Sequence, residues 1–180
     1  MKIEQQFIAI TLDDGATAIM GFLTQGRGSI LPSGAEWADE AAGWWSREAT
    51  DENIFDEVLR TSFGEGRSVA RYRRVSPSEV PQDRTYRNAW KDDGTAIVHD
   101  MPKAREIHRD RLRRMRVPLF EQNDIALADA LVEGDEVARQ AAVARRNALR
   151  DVTKHSAIDT AQTIEELKTA VPSALEGTTD

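Results

Sequence analysis

Cysteine is absent from all 180 residues. That excludes a disulfide framework, thiolate zinc sites and a cysteine nucleophile, and it fits a chain made in a reducing cytoplasm. Histidine is scarce too. His99, His108 and His155 fall in different predicted elements, and none has a partner at the helical spacing that a metal pair uses. His108 reads as a partly exposed polar residue on an arginine-rich helix rather than as a base. Long apolar runs are missing: the opening MKIEQQFIAITLDD mixes acids and glutamines into a short apolar stretch, which predicts neither a secretory signal nor a membrane span. No glycine-rich phosphate loop is present, because GFLTQGRG and SFGEGRS lack the lysine and the following helix such a loop needs. No nucleophile elbow surrounds a serine. Asp13, Asp14, Asp92 and Asp93 belong to turn chemistry first. Composition therefore predicts no catalytic residue, no metal and no cofactor, and an enzyme is the least supported class.

What is present describes a soluble chain with a solvated surface and a modest core: 40% hydrophobic residues against 31% charged, and a mean hydropathy of -0.53. Asp14-Gly15 lies between two alternating runs and predicts a β-hairpin. Gly26, Gly28, Pro32 and Gly34 then read as a loop. Residues 35–63 carry helix formers and a cluster of Trp37, Trp44 and Trp45, to be read first as core anchors and second as a contact patch, with Trp44 and Trp45 the candidate contacts. Arg67 to Val75 alternates like a strand, and its arginines place it at a sheet edge. A second turn at Asp93-Gly94 joins Tyr86–Trp90 to Ala96–His99.

The chain is organised around Asp100 to Thr153, which predicts two antiparallel helices. Asp100 is the N-cap of the first and Pro102 sits in its first turn. Ala104, Ile107, Leu112, Met115, Leu119, Leu127 and Leu131 form its apolar stripe. Gly134 reverses the chain and Asp135 caps the second helix, whose facing stripe is Val137, Ala141, Ala144, Ala148, Leu149 and Val152. His155 to Gln162 reads as a linker, and Thr163 with Glu166 makes a capping box for a last short helix before Pro172. The fold class is α+β: a small antiparallel amino-terminal sheet with helices over residues 1–99, then a helical hairpin with a terminal helix over residues 100–180.

The net charge of -7 hides a basic band. Between Lys103 and Arg116 seven cations face two acids. Arg105, Arg109 and Arg113 stack at four-residue steps, and three readings apply: intrahelical ion pairing, a groove for an acidic partner chain, or nucleic acid. Nucleic acid ranks last, because no aromatics interleave the arginines and the chain is acidic overall.

The run PQDRTYRNAWKDDGTAIVHDMPKAREIHRDRLRRMRVPLFEQND, followed by LRDVTKHSAID and TIEELKTAVP, resembles the carboxy-terminal part of small proteins encoded among the tail genes of tailed bacteriophages. Some of these are similar to tail-fibre assembly proteins and tail assembly chaperones. The shared features are an arginine-rich first arm, here Arg111 to Asp124, a second arm ending in Leu149, Arg150 and Asp151, and a tail with Pro172; the likeness spans about Pro81 to Pro172. The resemblance implies a non-enzymatic tail protein that binds or helps assemble the tail fibre or distal tail, made in the host cytoplasm and residing in the virion tail. Its implied partners are other tail proteins, with self-association into a homo-oligomer left open and no membrane. Arg105, Arg109, Arg113 and Arg116 are the candidate contacts. The alternatives are a soluble chaperone absent from the mature particle and a DNA-binding regulator using the basic helix. Fibre-assembly relatives carry tryptophan in the hairpin; here none follows Trp90, which leaves room for a permanent virion component.

Overall fold

A computed structural model describes residues 3–25, 29–31 and 69–175. The predicted helices of residues 35–63, with Trp37, Trp44 and Trp45, lie outside the described residues. The chain divides into two compact units, Met1–His99 and Asp100–Asp180, and the fold is α+β.

In the amino-terminal unit, β1 (Ile3–Leu12) and β2 (Thr17–Gln25) form the first hairpin, in register from Ile3 opposite Gln25 to Thr11 opposite Thr17. Its turn closes through the Gly15 N–H to the Leu12 carbonyl at 2.9 Å, while the Asp14 carboxylate accepts from the Ala16 N–H at 2.8 Å. The stretch read as a loop contains a third strand, β3 (Ser29–Leu31), paired to β2. Three residues give too short an alternation to register in a sequence. β4 (Val69–Val75) pairs antiparallel with β1, so the sheet order is β3-β2-β1-β4 and the arginine-bearing strand is at an edge. A separate two-stranded ribbon, β5 (Trp90–Asp92) and β6 (Ile97–His99), turns at Asp93-Gly94. Its first strand is shorter than predicted, because Arg87–Ala89 form a 3-10 turn. Among the described residues, Ala9, Val75, Val80, Trp90 and Ile97 form one buried cluster, with Phe7 and Ile19 packed against it.

Two of the β4 arginines, Arg71 and Arg73, are tied to one residue. Asp92, 2% exposed, accepts from Arg73 Nε at 2.9 Å and from the Gly94 N–H at 3.1 Å, and Arg71 donates to its backbone carbonyl. A buried charge needs such partners. Asp92 therefore serves the fold of this unit and joins the ribbon to the sheet edge.

The carboxy-terminal unit begins with α1 (Met101–Glu133), which at 1.5 Å per residue is about 50 Å long. The Asp100 carboxylate accepts from the Lys103 N–H at 3.1 Å, and the helix runs through Pro118. Gly134 ends it with φ 71°, a left-handed conformation that suits glycine. The Asp135 carboxylate then caps α2 (Glu136–Asp151), accepting from Val137 and Ala138 N–H groups, each at 2.9 Å. A 3-10 turn (Val152–Lys154) follows, and α3 (Ser156–Thr160) occupies the segment read as a linker. α4 (Ile164–Thr169) starts from the expected cap: Thr163 Oγ1 accepts from the Glu166 N–H at 3.2 Å. The Glu166 carboxylate reaches back to the Gln162 N–H at 2.7 Å, one residue earlier than a standard capping box.

The packed core of this unit sits at one end. Ala104, Leu112, Leu149, Ile158, Leu167 and Leu175 are buried where α3, α4 and the last turn meet the first half of α1. Beyond Leu119 the two helices run on as a pair, and there only Asn123, Ala130 and Ala142 are buried.

Candidate partner-binding site

The hairpin seam differs from the one the apolar spacing predicts. On α1 the buried line is Ala104, His108, Leu112, Leu119, Asn123 and Ala130, and Leu131 lies outside it, 61% exposed. On α2 the buried residues are Ala142 and Leu149, whereas Val137, Ala141, Ala144 and Ala148 are exposed. The cap at Asp135 and the glycine reversal fix how α2 is rotated about its axis. Ala142 is turned to the seam, and the longer alanine stripe is left on a flank.

His108 is a correction as well. It is 2% exposed, with Nε2 3.1 Å from the Ala170 carbonyl, and burial first, then the Arg111 and Arg109 charges, push its pKa below the usual histidine value. It links α1 to the end of α4. Asn123 is also 2% exposed, and both its amide oxygen and nitrogen lack a hydrogen-bond partner.

The candidate arginines are held within the unit. Arg105 donates to the Ala161 carbonyl at 2.8 Å, at the end of α3. Arg109 bridges Glu106 on its own helix and Asp159 on α3. Arg116 donates to the Arg150 carbonyl at 2.9 Å, at the end of α2, and its guanidinium lies 5.6 Å from the Phe120 ring centroid. Positive charge at the last carbonyls of a helix satisfies acceptors that have no intrahelical donor and opposes the helix dipole. Three of the four thus clamp later elements onto α1. Arg113 alone is turned to the surface, 46% exposed and paired with Asp110 one turn back. At about 100° per residue Arg105, Arg109 and Arg116 flank the Ala104–Leu112–Leu119 seam, and that proximity was the available signal for their role. Trp44 and Trp45 lie outside the described residues.

Several aliphatic side chains of the hairpin are exposed among its charges. Val132 is 88% exposed, Val137 79% and Ile125 64%. On helices of 3.6 residues per turn, Ile125 and Val132 share one side of α1. Val137, Ala141, Ala144 and Ala148 line the same side of α2. Single exposed aliphatics are ordinary; a run of them on one side of a two-helix arm is a candidate contact surface. Among the described residues no set of three or more His, Asp or Glu could hold a metal ion, and no helix is long and apolar enough to cross a membrane. No family model matches the chain, and neither a curated protein nor a solved structure matches it.

Proposed function

We propose that the protein is a non-enzymatic component of a bacteriophage tail that binds or helps assemble the tail fibre or distal tail, with the helical hairpin as its partner-binding arm. The observation that carries this reading is the division of labour in the hairpin. Its first half holds a packed core locked by Arg105, Arg109 and Arg116. Its second half projects exposed Ile125, Leu131, Val132 and Val137. An arm with a locked base and an apolar end is a recognition device, since burying those side chains against another chain is favourable by about 25 cal/mol per Å2 of apolar surface. The resemblance of residues 81–172 to small tail-gene products supplies the class of partner.

Mass spectrometry of purified particles from the phage or prophage that encodes the chain tests the proposal. A structural component is found at a fixed ratio to the fibre. Presence only in the lysate, bound to unassembled fibre, identifies the released chaperone instead. Absence from both overturns the tail assignment. The engagement of three arginines in intramolecular contacts leaves less of the basic helix for DNA, and salt-dependent gel retardation checks that directly.

A further inference from the structure

The hairpin is electrically two-ended. Residues 103–116 carry seven cations and two acids, a balance of +5, whereas residues 117–138 carry six acids and no Lys or Arg, a balance of -6. Within the chain Arg146 pairs with Asp124 and Arg139 with Glu136. Among the described residues, Arg114 at the cationic end and Asp129 and Glu133 at the acidic end have no ion-pair partner. Arg114, Pro118, Glu121, Ile125, Asp129 and Val132 follow one another at helical spacing on one side of α1. All six are exposed. It is the side on which α2 presents Val137 and its alanines.

We propose that this face is a self-association surface, covered by the same face of a second copy of this chain in antiparallel, two-fold pairing. A two-fold contact must be self-complementary, and the Arg114 and Asp129 ends of this face are, while Glu121 of each copy falls beside the symmetry axis. Setting Pro118 of one copy against Ile125 of the other brings Arg114 opposite Asp129, and the symmetry makes that pairing twice. The alanines of α2 let the second pair of helices approach closely. The same register carries Val137 at the tip toward the other copy's shallow cleft between Ala148, Val152 and Pro172, which Asp151, Lys154 and His155 also line. A parallel arrangement would instead oppose like charges along the arm, which is unfavourable. The inference stands on the charge and apolar pattern of the hairpin and does not rest on the tail assignment.

Light scattering coupled to size exclusion, on the full chain over a concentration series, is the test. The wild-type chain runs as a dimer whose dissociation constant rises with added salt. Val132→Ser with Val137→Ser weakens it at least about tenfold with an unchanged circular dichroism spectrum, since both side chains are exposed in the single chain. Arg114→Asp alone and Asp129→Arg alone are each monomeric, and an equimolar mixture of the two variants forms a heterodimer, because every facing pair is then opposite in sign. A wild-type chain that is monomeric throughout overturns the proposal. So does a dimer indifferent to the valine substitutions, or a mixture of charge variants that stays monomeric. The mixture keeps the test decisive should the valine variant fold poorly.

Discussion

The guanidinium of Arg116 donates to the backbone carbonyl of Arg150 at 2.9 Å, so a side chain from the middle of α1 caps the last turn of α2. Removing it leaves those carbonyls without a charged donor at the point where the hairpin meets the packed end of the unit. Arg116→Ala is expected to destabilise the chain by about 1.5–3 kcal/mol, the range for a hydrogen bond to a charged group. Arg116→Lys recovers part of that, because an ammonium keeps the charge and loses the planar stacking on Phe120. Thermal and urea unfolding of both variants measures the difference.

Arg105 and Arg113 belong to the same four-residue ladder and should behave differently. Arg105 reaches the Ala161 carbonyl from a part-buried position, whereas Arg113 is paired with Asp110 on an exposed turn. Arg105→Ala should therefore cost more than Arg113→Ala, whose helical ion pair is worth only about 0.2–0.5 kcal/mol. Equal losses in urea melts would contradict the clamp. Arg113→Glu should leave stability near wild type and reduce capture of the fibre, if the proposed partner contacts that side.

His108 gives the chain a pH dependence of definite sign. Its pKa in the fold is depressed below 6.5, chiefly by burial, so the unfolded chain binds the proton more readily than the folded one. The stabilisation is complete above the unfolded value and is lost as pH falls from there toward the depressed folded value. Glu79, Asp93 and Glu136 have pKa values of about 2, so their contributions are lost at lower pH. The melting temperature should fall between neutral pH and pH values below 6.5, and His108→Gln should flatten that part of the profile.

Asn123 sits in the seam with neither amide atom hydrogen-bonded. A buried amide without partners is destabilising relative to an apolar side chain of similar volume. Asn123→Leu is expected to raise the melting temperature, with a gain of about 1–2 kcal/mol. A loss of stability on calorimetry would show that the amide has a favourable role the seam geometry does not supply.

Local chemistry made much of this fold legible. Asp14-Gly15, Asp93-Gly94, Asp100, Gly134, Asp135 and Thr163 each act through their own backbone neighbourhood, and each stands at the turn or cap that its residue type dictates. What depends on tertiary packing was less readable. Apolar residues lie on more than one side of both hairpin helices, so spacing alone could not decide that Ala142 rather than Ala141 turns inward. The same holds for the arginines. A four-residue ladder looks alike whether it meets solvent, a partner or the ends of later helices, and only Arg113 was left at the surface. His108 and Asn123 were passed over because polar residues are seldom counted toward a seam.

The second half of the hairpin contributes just three buried side chains, Asn123, Ala130 and Ala142. Its length is consequently a free variable, set by the spacing its surroundings require rather than by the needs of the folded body. Matched insertions of one heptad into each arm, on either side of Gly134, would extend the reach by about 10 Å and leave the capped end intact.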